Sequence, residues 1–264
     1  HGIRGGGMRD FDFAGRVAIV TGGGTGIGKT YSQEFAKAGV RVVIADIAGP
    51  EGEAVAQEIN DAGGKALAIT TDISSQEQTL AMAKATIEAF GQIDILINNA
   101  SLMSALERRP WHEIDVDEWD RVMAVNLRGM FLCCQAVYPQ MKEQQSGKII
   151  NISSSRFWLG TPMRLHYSTS KAGVIGLTRS LAREVGDDNI AVNAITPGFT
   201  ESETQLATST ADYLAISEER YKGRTFKRAQ LPGDLVGTVM FLASDASNFI
   251  TGQTINVDGG ESMR

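Results

Sequence analysis

The chain is short of cysteine, of long apolar runs and of charge of one sign, and each shortage closes off a class of protein. Cys133 and Cys134 are the two cysteines in 264 residues. As neighbours they form neither a spaced disulfide framework nor a metal-ligand pattern, which predicts a reducing, cytoplasmic setting and no metal. No apolar stretch nears the roughly 18 to 20 residues that span a bilayer, and no cationic start followed by an apolar run is present, so neither membrane insertion nor secretion is expected. Basic residues number 25 against 31 acidic ones, for a net charge of -6, and no block of like charges occurs, so a nucleic-acid backbone is a poor partner. Repeats, low-complexity tracts and Pro/Gly/Ser linkers are also lacking, and nothing divides the chain into two.

What is present fits one large domain. Hydrophobic residues make up 42% and charged residues 21%, enough apolar material for a full core. His1 to Gly7 reads as the remnant of a histidine tag or linker, which puts a single domain at residues 8–264. Apolar, β-rich runs recur at Val17 to Val20, Val40 to Ala45, Ala66 to Ile69, Ile93 to Ile97, Ile149 to Ile152, Ile190 to Ile195 and Thr254 to Val257. Between them lie helical patterns at Thr30 to Ala38, Glu53 to Ala62, Gln76 to Phe90, Glu118 to Met141, Ser168 to Val185 and Leu235 to Leu242. Gly39, Gly63, Gly64 and Gly91 sit where helices would stop. Alternating strands and crossover helices predict an α/β fold, a doubly wound parallel sheet covered on both faces. The polar stretch Thr200 to Lys227 (lid, about 200–227) breaks the alternation after the sixth strand. There it would either close over a ligand or form a surface excursion.

The first strand runs into Thr21-Gly22-Gly23-Gly24-Thr25-Gly26-Ile27-Gly28, leading to a helix near Lys29. Glycine in such a turn permits positive φ and lets backbone N–H groups approach a pyrophosphate. Asp46, followed by Ile47 and Ala48, ends the second strand, where a carboxylate accepts hydrogen bonds from a ribose diol and repels a 2′-phosphate. That favours NAD over NADP. Asp72-Ile73 after the third strand would frame an adenine ring, and Asn98-Asn99-Ala100 closes the fourth strand either as a bridge between backbone segments or as a structural turn.

At the other end, Tyr167 and Lys171 stand four apart on one helix face. An ammonium beside a phenol stabilises phenolate and makes it a usable base near neutrality. Ser154, within Ser153-Ser154-Ser155 after the fifth strand, would donate to a substrate oxygen or form a turn. Asn126 lies inside the long helical pattern that starts at Glu118, where a functional hydrogen bond or a kink would explain a poor helix former.

Taken in order, Thr21-Gly22-x-x-x-Gly26-x-Gly28, Asp46, Asp72, Asn98-Asn99-Ala100, Asn126, Ser154, Tyr167-x-x-x-Lys171 and Pro197-Gly198 resemble the short-chain dehydrogenase/reductase family from about Phe13 to Gly260. The resemblance implies a Rossmann-like fold and hydride transfer between a nicotinamide and a carbinol or carbonyl carbon. Tyr167 matches the acid/base, Lys171 the residue that binds the nicotinamide ribose and lowers the tyrosine pKa, Ser154 the substrate-orienting serine, and Asn126 the residue holding a water in the proton relay. Pro197-Gly198, with Thr200 and Ser202, resembles the segment beside the nicotinamide. Gly22, Thr25, Gly26, Ile27, Gly28, Asp46, Ile47, Asp72, Ile73, Asn99 and Ala100 complete the expected cofactor set. Ser101 stands where the family commonly has glycine, and Ser202 where it has threonine. Phe249 to Gly260 resembles a closing strand that often packs in a homotetramer.

The expected substrate wall is apolar: Met103, Arg156, Phe157, Trp158, His166, Phe199, Leu206 and Tyr213, with Leu102, Leu159, Met163 and Leu214 beside them. For the aromatic pair the alternative is ordinary packing, and for His166 a satisfied structural histidine. The Ser154 to Tyr167 stretch is similar to family members that oxidise secondary aryl alcohols such as 1-phenylethanol. A 3-oxoacyl-thioester reductase or 3-hydroxyacyl dehydrogenase is the second reading, and a nucleotide-bound sensor without turnover the third.

Overall fold

Strands form at Val17–Thr21 (β1), Arg41–Asp46 (β2), Lys65–Thr70 (β3), Ile95–Asn98 (β4), Gly147–Ile152 (β5), Ile190–Pro197 (β6) and Thr254–Val257 (β7). All pair in parallel, in the order β3-β2-β1-β4-β5-β6-β7. The computed structural model describes residues 11–207 and 221–263. The strand order reverses between β1 and β4, and at that switch point the loops leaving the carboxyl ends of adjacent strands part to leave a crevice.

Helices fill both faces: Gly26–Lys37 (α1), Gly49–Asp61 (α2), Gln76–Phe90 (α3), Val116–Met123 (α4), Met130–Gln144 (α5), Arg156–Leu159 (α6), Leu165–Glu184 (α7), Glu203–Ala207 (α8) and Gly233–Ala243 (α9). Because strand side chains alternate, β1 sends Ala18 and Val20 into one core with Phe35, Leu235 and Val239. Ile19 goes into the other, with Met82, Cys133 and Val137. Both cysteines are buried and unpaired. Burial pushes their thiols up, that of Cys134 to about 12. Among the described residues no helix is long and apolar enough to cross a membrane, and no group of three His, Cys, Asp or Glu is placed to hold a metal.

The doubly wound sheet is as expected, with strand ends shifted by a residue or two. The long helix expected from Glu118 to Met141 is not continuous: α4 and α5 are joined by a π-helical turn at Ala124–Gly129, with Asn126 inside it. A π turn inserts one residue into the ladder, and such insertions mark functional positions more often than regular helix does. The first helix begins at Gly26, ahead of the expected start, because the turn itself supplies its first residues. Gly91 caps α3 at φ 78°, its N–H donating to Ile87 O at 2.8 Å.

Of the expected lid, Thr200 to Ala207 and Tyr221 to Lys227 are described. The first piece carries α8, which packs on α1. Tyr213 and Leu214 lie outside the described residues.

Candidate active site

The loops at the carboxyl ends of β1, β2, β4, β5 and β6 surround one cleft of about 420 Å³, a size typical of small-molecule sites. It runs from Asp46 at one end to Ser154 and Tyr167 at the other.

At the β1 end the chain turns through Gly22 and Gly26 at φ 62° and 53°. These are left-handed values that side chains with a Cβ adopt at a cost. Close approach matters as much as φ. A Cβ on Gly22 would lie 2.9 Å from Ala100 Cα, and one on Gly28 would run into the carbonyl oxygen of Gly22. Asn99 fixes this contact, donating from Nδ2 to the carbonyls of Thr21 and Gly22 at 3.1 Å each. Asn98 instead ties β4 to β5, donating to Asn151 Oδ1 at 2.9 Å. Of the two readings of this asparagine pair, these bonds match the bridge, with Asn99 spanning backbone segments and Asn98 tying two strands. The N-terminus of α1 has no side-chain cap. Its N–H groups and dipole accordingly favour an anion beside the turn.

Asp46 is buried, and its carboxylate accepts from Gly24 N–H at 2.8 Å and Ala48 N–H at 3.0 Å. The negative charge is thereby fixed at the edge of the cleft, next to Ile47. Asp72 and Ile73 do not line the cleft. Asp72 Oδ1 accepts from the Ser74 N–H and hydroxyl, while Ile73 is buried in the core where a Cβ on Gly129 would meet it at 2.8 Å.

At the other end α7 presents Tyr167 and Lys171 to the cleft. Lys171 is fully buried, donates from Nζ to Ile152 O at 2.9 Å and stands 5.8 Å from the centre of the Tyr167 ring. Burial brings its ammonium down to about 7. A charge so short of solvent is stabilised by any anion placed beside it, a phenolate included. Ser153 Oγ clamps the α7 backbone by donating to Lys171 O at 2.7 Å. Ser154 Oγ accepts from Arg156 N–H at 3.3 Å, an arrangement that leaves its proton available to donate into the cleft. Asn126 does not face the cleft. Its Oδ1 accepts from Leu102 N–H and Ser101 Oγ, and its Nδ2 reaches Leu102 O and Ser170 Oγ. Its side chain thus joins the π turn, the loop after β4 and α7.

Helix phase sorts the expected substrate wall. Arg156 and Leu159, three apart on α6, line the cleft, while Phe157 and Trp158 project elsewhere. Their rings sit 4.1 Å apart, and Trp158 Nε1 donates to Thr196 Oγ1 at 3.3 Å. On α7 His166 is turned away from the cleft towards α4. It is 0% exposed, with Nε2 3.0 Å from Glu118 Oε1. The packing alternative is therefore the observed one for Phe157, Trp158 and His166. Leu206 is 45% exposed on α8 and outside the cleft as well. Met103, Phe199, Thr200, Ser202, Pro197 and Gly198 are in it. So are Ser104, Thr204, Gln205 and Glu261, which carry no motif and went unread. Glu261 comes from the C-terminal turn, far in sequence from everything else at the site.

A model of the short chain dehydrogenase family matches residues 16–212. The (2S)-[(R)-hydroxy(phenyl)methyl]succinyl-CoA dehydrogenase subunit BbsD of Thauera aromatica is 41% identical over 251 residues, 94% of this chain and 97% of that protein. The crystal structure of levodione reductase superposes with a TM-score of 0.89 at 30% identity, covering 94% of this chain and 98% of its own. That of the 3-ketoacyl-(acyl-carrier-protein) reductase from Brucella melitensis complexed with NADH does so with a TM-score of 0.86 at 32% identity, covering 95% and 100%. With the family model matching most of the chain and relatives covered almost end to end, the chain that brings this glycine turn and the Tyr167/Lys171 pair to one cleft belongs to the short chain dehydrogenases, a family of nicotinamide-dependent oxidoreductases.

Proposed function

We propose that the protein interconverts a hydrophobic secondary alcohol, aryl or alicyclic, and its ketone, with NAD preferred over NADP and Tyr167 as acid/base. The observation that carries this reading is the pairing of Tyr167 with a buried Lys171 in the same cleft that holds Asp46 at its far end.

The residues present fit a dinucleotide. Gly22, Gly26 and Gly28 leave a cradle that Cβ atoms would fill, beside the uncapped start of α1, and Thr25 and Ile27 line the same turn. Asp46 would take the adenosine ribose hydroxyls, and its fixed charge disfavours a 2′-phosphate. Lys171, with three protons and one carbonyl acceptor, has donors to offer the second ribose. Pro197, Gly198, Thr200 and Ser202, which line the cleft beyond β6, would flank the nicotinamide. When bound, the dinucleotide supplies the hydride acceptor. Ser154 donates to the substrate oxygen and orients it. Tyr167, its phenolate favoured by the ammonium of Lys171, takes the hydroxyl proton as the carbinol is oxidised and returns it in reduction. Asn126 contributes by position, holding the loop after β4 against α7.

For the substrate, Met103, Leu159 and Phe199 make the wall apolar. The relative from Thauera aromatica acts, by its name, on a phenyl-bearing secondary alcohol carried on succinyl-CoA, a substrate that joins the aryl carbinol of this reading to the thioester of the second. A second reading, reduction of 3-oxoacyl thioesters, is favoured by the basic residue Arg156 in the cleft lining and by the likeness to the Brucella melitensis protein. Location in the cytoplasm and assembly as a homotetramer go with the same family reading.

The test is reduced-nicotinamide absorbance with NAD or NADP and a panel of aryl, alicyclic and 3-hydroxyacyl substrates. Turnover of 1-phenylethanol or cyclohexanol with NAD is the expected result. Turnover confined to 3-hydroxyacyl thioesters would install the second reading. NADH binding without turnover of any substrate would favour a sensor.

A further inference from the structure

Arg224 has the largest fully buried side chain among the described residues, 1% exposed, yet it carries a full charge. Burying a guanidinium is costly unless charge and hydrogen bonds meet it. Here three separated pieces of chain do so. Nε lies 3.2 Å from Glu261 Oε2, from the C-terminal turn. Another guanidinium nitrogen donates to Phe199 O at 2.9 Å, in the segment that leaves β6. The Tyr221 ring centre stands 5.3 Å away, and the Tyr221 hydroxyl bonds the Glu201 carboxylate.

Each partner touches the cleft or its wall. Phe199 and Glu261 line it, together with Pro197, Gly198, Thr200 and Ser202. The C-terminal turn is itself fixed, since Asp258 accepts from the N–H groups of Gly260, Glu261 and Ser262 and from the Ser262 hydroxyl. The backbone at Glu261 is therefore held by Asp258, and Arg224 ties the wall after β6 to that turn.

We infer that Arg224 is a positioning residue: through Glu261 and the Phe199 carbonyl it locks the wall from Pro197 to Gln205 onto the C-terminal turn. It thereby governs how tightly the cleft holds dinucleotide and alcohol, and leaves the chemical step alone. The inference rests on the dehydrogenase reading above.

Two variants test it. R224K keeps a charge opposite Glu261, but one ammonium cannot also reproduce the planar fork that reaches Phe199 O. R224M/E261Q removes both charges, so no unpaired buried ion remains to unfold the protein, and it carries the test if R224K does not fold. Expected for both are a rise of about tenfold in the NADH Kd and in the KM for 1-phenylethanol, with kcat within about threefold of wild type, the pattern of lost uniform binding. Unchanged Kd and KM in variants that melt like wild type would overturn the inference and leave Arg224 a packing residue. A fall in kcat at constant KM would overturn it too. The two readings fail separately. A wild-type protein that oxidises no secondary alcohol refutes the parent reading, whereas the variant-to-wild-type ratio of NADH Kd still tests the tie.

Discussion

The two ends of the cleft are built by different means. At the dinucleotide end the work is done by backbone: glycines that admit close approach, an uncapped helix start and one carboxylate pinned by two N–H groups. At the end proposed for the alcohol it is done by side chains whose direction depends on helix phase, on α6 and α7, and by a wall fastened from the far C-terminus. The first kind of construction is local and tolerates little change. The second is assembled from distant pieces and can be retuned one side chain at a time, which suits a fold that carries different activities among its relatives.

That contrast can be broken experimentally, and the sharpest cut is at the alcohol end. Tyr167→Phe removes the proton-transfer group and little else. Turnover should fall by about 10² to 10⁴-fold, the usual worth of general acid/base catalysis, while the NADH Kd stays within about twofold. A variant that kept full turnover would end the acid/base assignment.

At the dinucleotide end, Asp46→Ala combined with Ile47→Arg should shift the ratio of kcat/KM for NAD over NADP by about 10² towards NADP, since repulsion is replaced by a cation. An unmoved ratio in steady-state assays with both cofactors would show that Asp46 serves only to pin Gly24 and Ala48.

Lys171 gives the Tyr167 end of the cleft a pH signature. Its pKa falls from the ordinary 10.5 to about 7 on burial. Between those values the unfolded chain binds a proton that the folded one does not, so this group makes stability rise with pH across that window. Below about pH 7 the full penalty of burying the charge is present. Lys171→Met removes it, so the variant should melt above wild type at pH 6 to 7, and the gap should close as pH approaches 10. Thermal melts over that range decide it, and a gap independent of pH would contradict the burial argument.

The smallest expected effect separates neighbours on α6. Leu159→Ala should raise the KM for 1-phenylethanol about threefold to tenfold by removing apolar wall. Trp158→Ala should leave KM within about twofold and lower thermal stability instead, because the ring lies against Phe157 and its N–H bonds Thr196. Equal KM effects would place Trp158 in the wall after all.

Legibility followed the same division. The parallel sheet, the glycine turn, Asp46 and the Tyr167/Lys171 pair could be read because each depends on neighbours within a few residues or on a simple period. The break at Asn126 was legible as a poor helix former, yet its form was not. Within a π turn its amide bonds Leu102 and Ser170, on segments that sequence does not align. Phe157, Trp158 and His166 stood in the right stretch and on the wrong faces, since where a four-residue helix begins fixes which side chains it shows. Asp72 and Ile73 lie at a strand end that the cleft does not reach.

By itself the sequence determined the fold, the glycine cradle, the carboxylate that ends β2, and the spacing of Tyr167 and Lys171, because hydrophobic period, backbone sterics and helix geometry are local properties of the chain. Only the tertiary structure decided that Glu261 enters the cleft, that Arg224 ties it to Phe199, that Lys171 is dry enough to titrate near neutrality, and which residues of α6 face a substrate. Those depend on which distant segments exclude water from one another, and that is set when the core closes.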